Sequence, residues 1–96
     1  MNSIEDLPSG EIRFVDSDLN SAFNNANAGE RVSVMLIPFC KPEKFVSVVN
    51  EDSFGVNCKQ ISTKIIRIDL TRIECDLLLT NNIIKKIELV RPNEHL

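Results

Sequence analysis

Between Val32 and Ile73 the chain carries four short apolar runs, each cut off by Pro, Asn, Asp or Gly, and this stretch constrains the fold most. The runs are Val32 to Ile37, Phe45 or Val46 to Asn50, Phe54 to Cys58, and Lys64 to Leu70. The last alternates strictly, with Ile66, Ile68 and Leu70 on one side and Arg67, Asp69 and Thr71 on the other. A period of two is the signature of a half-buried strand. Val32, Val34 and Leu36 alternate more weakly with Ser33 and Met35. Pro38 to Pro42 reads as a stiff loop that blocks pairing. Asn50 to Ser53 reads as a turn, with Phe54 to Cys58 returning as a hairpin partner. Gly55 inside that run signals a bulge or a close backbone approach.

Beyond Leu70 the apolar phase changes, since Ile73, Cys75, Leu77 and Leu79 are odd-numbered. A bulge, a bend or a single helical turn near Thr71-Arg72 is therefore expected. Ile83 to Val90 reads as a last strand, in a hairpin with 73–79. A short helix over 82–90 also fits Ile83, Ile84 and Ile87, but β-branched weight favours the strand. Lys85-Lys86 reads as edge protection. Upstream, Leu19, Ala22, Phe23 and Ala26 share one helical face between Asp16 and Gly29. Asp16 or Ser17 suits the cap and Asp18 the positive end of the dipole. The expected organisation is a polar leader or short strand over 1–15, one small barrel domain over 16–90, and a tail over 91–96. Phe23, Val34, Val48, Ile66 and Ile68 are the expected core.

The chain has 96 residues, enough for one domain with a single core and no disulfide or metal support. With five Phe and neither Trp nor Tyr, that core must be mostly aliphatic. Cys40, Cys58 and Cys75 are odd in number and lack C-x-x-C spacing, which predicts free thiols in a reducing, cytoplasmic setting. These thiols with His95 do not make a zinc set, so no metal and no cofactor is expected. No apolar run approaches the roughly 20 residues of a membrane span. The net charge of −3 is unevenly spread. Residues 1–30 hold Glu5, Asp6, Glu11, Asp16, Asp18 and Glu30 against Arg13 alone, while the remainder is mildly basic. Overall acidity argues against tight non-specific DNA binding.

A helix followed by Arg31-Val32-Ser33-Val34-Met35-Leu36, then Asp52-Ser53-Phe54-Gly55-Val56, then Ile66-Arg67-Ile68-Asp69, resembles the Sm-like (Hfq-like) family over residues 17–79. Ile68 stands where that family's second motif has glycine, and Asn57 lies one place beyond the family's asparagine. The resemblance implies a mainly β fold: a short N-terminal helix, then a small, strongly bent antiparallel barrel of Sm-like or SH3-like type, with an extra C-terminal hairpin strand. It also implies a homo-oligomer, a ring in that family, formed by pairing of edge strands.

No catalytic signature is present. Glu51 and Asp52 are adjacent and point apart on an extended chain, and the single histidine, His95, sits in the tail. The chain is read as a non-enzymatic binding module. Phe54, Asn57, Lys64, Arg67 and Asp69 are the expected site, binding single-stranded RNA or a nucleotide at a barrel rim. There Phe54 would stack, Arg67 would contact phosphate and Asp69 would orient Arg67. The alternative is a protein–protein interaction or inhibitor module, such as a small accessory protein of a mobile element, with the acidic leader as its contact.

Overall fold

The computed structural model describes residues 3–91. In chain order it has a 3-10 turn (Ile4–Asp6), β1 (Phe14–Val15), α1 (Asp18–Asn25), β2 (Val32–Pro38), α2 (Pro42–Glu51), β3 (Val56–Gln60), β4 (Ile66–Leu70), α3 (Arg72–Thr80) and β5 (Ile84–Leu89). The strands form one five-stranded sheet in the order β1-β5-β2-β4-β3. All neighbours are antiparallel except β1 and β5. From β2 onward the chain runs β-α-β-β-α-β with order β5-β2-β4-β3, the split β-α-β arrangement of ferredoxin-like domains. β1 and α1 are added in front.

The fold is therefore mixed α/β rather than mainly β, and the sheet is open, with β1 and β3 at its edges, rather than closed into a barrel. The reason lies in two segments expected as strands. Phe45 to Asn50 belongs to α2: Pro42 occupies the first turn, where its missing N–H costs nothing, and Phe45, Val48 and Val49 fall on one helical face, all fully buried. Ile73 to Leu79 belongs to α3, not to a hairpin with β5. Thr71 and Glu74 form a reciprocal capping box, with the Thr71 hydroxyl accepting from the Glu74 amide at 3.2 Å and the Glu74 carboxylate accepting from the Thr71 amide at 2.9 Å. Cys75 and Leu78 then face the core, and Ile73 is left 73% exposed. The helices supply on one sheet face the apolar layer that closure would otherwise have had to provide.

The remaining expectations hold more closely. α1 buries Leu19 and Phe23, and Val34, Leu36, Ile66, Ile68 and Leu70 line the helix-covered side of β2 and β4. The expected core residues Phe23, Val34, Val48, Ile66 and Ile68 are all buried. The leader joins the same core through Ile4 and Leu7, and Arg13 donates its backbone N–H to the Lys85 carbonyl at 2.8 Å along β5. β5 is thus an interior strand, so Lys85-Lys86 protects no edge. The β2–β5 register shifts between Ile37 and Pro38, where an extra residue, Lys85, bulges from β5.

Asp16 is a buried charge at the junction of β1, α1 and the end of β5. Its carboxylate accepts from the amides of Asp18 at 3.0 Å and Leu89 at 3.1 Å, and from the Arg91 guanidinium at 2.9 Å. Burial pushes its pKa up, but these donors together hold it below the ordinary 3.8. Of the two residues expected to cap α1, Ser17 is the N-cap without a side-chain bond, while the Asp16 carboxylate accepts the first-turn amide of Asp18 and also holds Arg91 at the far end of the described chain.

Candidate functional site

Opposite the helices the sheet presents a second face. Alternation places Ser33, Met35 and Ile37 of β2 there, with Arg67 and Asp69 of β4, Ile65 just before it, and Lys86 and Glu88 of β5. None of these belongs to the apolar core. Register fixes their rows. Met35 lies opposite Arg67 on one side and Glu88 on the other, and Lys59 lies opposite Arg67 on the outer strand. Ile37 lies opposite Lys86, which in turn lies opposite Phe14. A shallow depression lined by Met35, Ile37, Ile65, Lys86 and Glu88 sits at the centre. Lys86 pairs with Glu88 at 3.5 Å and stands 5.5 Å from the centroid of the Phe14 ring.

Asp69 anchors the other end of this face. It accepts from the Ser33 hydroxyl and, at 2.8 Å, from the Asn57 side-chain amide. Asn57 has φ 57° and sits in a bulge where β3 slips against β4 between Val56 and Lys59, a left-handed position that Asn tolerates. Burial raises the Asp69 pKa, while Ser33, Asn57, Arg67 and Arg31 together bring it below the ordinary value. Glu74 behaves alike: burial raises it, but the amides of Thr71 and Gly55 and the Arg31 guanidinium, 3.3 Å away, lower it on balance.

These directions set a pH dependence. A carboxylate whose folded pKa is depressed gives its full stabilisation above the unfolded value and loses it as pH falls through the folded one. The ordinary values here are 3.8 for Asp16 and Asp69 and 4.5 for Glu74. The thermal midpoint should therefore hold steady down to about pH 5 and fall progressively below about pH 4. Calorimetry across that range checks it, with NMR titration of the Asp69 carboxyl; a midpoint for Asp69 above its ordinary value would contradict the hydrogen-bond assignment.

The five residues expected as an RNA site do not all come together. Arg67, Asp69 and Asn57 do cluster at the open face. Phe54 does not: it is only 9% exposed and lies in the core. Its amide donates to the Val49 carbonyl at 2.9 Å, closing the end of α2 through a left-handed Ser53, which folds Phe54 inward. Lys64 is exposed at the β3–β4 turn, where Ser62 Oγ accepts its backbone N–H. Ser33, Met35, Ile37, Ile65, Lys86 and Glu88 were absent from the sequence-based set. The odd-numbered phase of β2 was the signal that could have found Ser33 and Met35.

Elsewhere, a wider cleft lies between α1 and α3, but its guanidinium is engaged within the protein: Arg72 donates to Asn20 and Asn24 and stands 5.5 Å from the Phe23 ring centroid. The three cysteines are free. Burial pushes Cys58 and Cys75 up to about 11 and raises Cys40, which keeps all three protonated and unreactive near neutrality. Among the described residues no group of His, Cys, Asp and Glu side chains is placed to hold a metal ion, and no helix is long and apolar enough to cross a membrane. His95 lies outside the described residues. Compared with protein-family models, curated proteins and solved structures, the chain finds no match.

Proposed function

We propose that this chain is a non-enzymatic protein-interaction module whose contact surface is the open face of its sheet. The observation that carries this reading is the make-up of the face: aliphatic Met35, Ile37 and Ile65 at the centre, with cations and carboxylates interleaved around them. That pattern of an apolar centre and a mixed polar rim suits a protein partner. It suits RNA less well. Four-stranded sheets that bind single strands stack bases on aromatic side chains. Here the central strands offer Met35 and Arg67, Phe54 is buried, and Asp69, held ionised at one end of the face, repels phosphate. Asp69 and Glu74 are held below their ordinary values and the Cys58 thiol is pushed up, the reverse of what acid or nucleophilic catalysis near neutrality requires of these groups.

The test is affinity capture by the immobilised full chain, after nuclease treatment, with the bound proteins identified by mass spectrometry. Met35→Asp places a charge at the centre of the face and should reduce capture at least about tenfold, as truncating a contact hot spot does. Ile73→Asp, on the exposed side of α3, should leave capture intact. Loss of capture with Ile73→Asp but not with Met35→Asp would move the contact to α3. Retention that disappears on nuclease treatment would return the face to RNA.

A further inference from the structure

We infer that the open face is self-complementary and that its occupant is a second copy of this chain, the two sheets stacked face to face about a two-fold axis roughly along β2. This rests on the reading of the open face as a protein contact.

The register carries the inference. Arg67 on β4 and Glu88 on β5 both lie directly opposite Met35, one on each side of β2. A two-fold axis along β2 exchanges the β4 side with the β5 side. Glu88 of the second copy then arrives over Arg67, and its Arg67 over Glu88, while Met35 meets Met35 on the axis. One symmetry operation thus makes two opposite-charge contacts around an apolar centre, which is what an isologous interface requires. Stacked sheets align their strands to within about 30°, so an axis near β2 matches the packing that twisted sheets adopt. The Ser33 hydroxyl and the Asn57 amide, which already donate to Asp69 within its own copy, offset part of the cost of taking its charge out of water. Among the described residues Arg67 has no salt bridge, so its guanidinium is available, while Glu88, 3.5 Å from Lys86, would be shared between Lys86 and the incoming Arg67.

The area predicts the strength. The five strands, about 4.8 Å apart and on average about five residues long at about 3.3 Å each, cover roughly 400 Å² per copy. A standard stable interface uses about 800 Å² per partner, so this dimer should be reversible with a Kd in the micromolar range. The exposed pair Ile73 and Leu77 on α3 forms a second apolar patch.

The experiment is sedimentation equilibrium of the full chain from about 10 µM to about 1 mM, a range that brackets such a Kd. Four species are compared: wild type, Arg67→Glu, Glu88→Arg and the double swap. The equimolar mixture of the two single swaps is run beside them. All substituted side chains lie off the core, and circular dichroism checks that each variant is folded. Wild type should move from 10.8 kDa toward twice that mass. Each single swap sets like charges together in both contacts and should weaken association at least about tenfold. The double swap should restore it. The mixture should dimerise although neither component does alone, because only the mixed pair is complementary in both contacts. Wild type that stays monomeric throughout, single swaps that dimerise like wild type, or a mixture no tighter than its components would each overturn the proposal. A monomeric wild type whose capture of another protein still depends on Met35 overturns the second copy alone. A monomeric wild type with no such dependence overturns the interaction reading as well.

Discussion

Ile68→Asp should unfold the domain. Ile68 is fully buried at the centre of β4, which is paired on one side with β2 and on the other with β3. Replacing it removes about 1.5–3 kcal/mol of apolar transfer free energy. It also strands a carboxylate among aliphatic side chains, at a further cost of several kcal/mol or a forced protonation. The combined loss, about 4–6 kcal/mol, is comparable with the whole stability of a small domain, about 5–15 kcal/mol. Urea titration followed by circular dichroism measures it. Arg67→Asp, one residue away on the outward phase, is the control and should shift stability by less than about 1 kcal/mol. If Ile68→Asp stays within that same margin, β4 has been assigned the wrong inward face.

Gly55→Ala should be the most damaging single-methyl addition. Gly55 has φ +67°, which costs an L-residue about 1–2 kcal/mol. An added Cβ would also lie 2.6 Å from Ile68 Cδ1 and 2.9 Å from Ile68 Cγ1, too close for either to remain in place. Overpacking of that kind costs about 1–3 kcal/mol. The backbone is pinned there, because the Gly55 amide donates to Glu74 Oε2 at 2.9 Å. A total of about 2–5 kcal/mol is expected from urea unfolding. The two causes separate in a double-mutant cycle with Ile68→Val, which removes the nearest methyl. The part of the steric cost due to Cδ1 should be recovered, as a coupling of about 1 kcal/mol, while the Cγ1 contact and the backbone part persist. Additive effects would show that the Cδ1 contact carries none of the cost.

The sequence made some of this visible and hid the rest for identifiable reasons. β4 was legible because Ile66, Ile68 and Leu70 alternate with charged or polar residues, and that same alternation put Arg67 and Asp69 on the outward phase. α1 was legible from Leu19 and Phe23. α2 was misread because Phe45-Val46-Ser47-Val48-Val49 satisfies both periods, and its valines look like strand residues. Their intrinsic helix penalty is only a few tenths of a kcal/mol each, and burial of Phe45, Val48 and Val49 offsets it. Two short signals pointed the other way: Pro42 at a helix start, and Thr71-x-x-Glu74 before an apolar run. At the candidate site, Asp69's partners Ser33 and Asn57 come from the strands on either side of β4, one of them through a left-handed bulge, so no local pattern announces them. Phe54 was misplaced because its direction is set by how α2 ends, not by strand phase.

The position of β5 governs the order in which the chain can mature. Among the described residues it is the last strand in the chain, yet it lies between β1 and β2. Until Ile84 to Leu89 emerge from synthesis, β1 has no partner, and β2 shows one bare edge carrying Val32-Ser33-Val34-Met35-Leu36-Ile37. Such an edge is a template for pairing with other chains. The early hairpin of β3 and β4 is local and quick to close, whereas the docking of β5 joins segments far apart in the chain and is intrinsically slow. Asp16 waits longer still for its guanidinium, which arrives only with Arg91. The nascent protein therefore passes through a period in which its most apolar central strand is half protected, and the final strand ends that exposure in a single insertion.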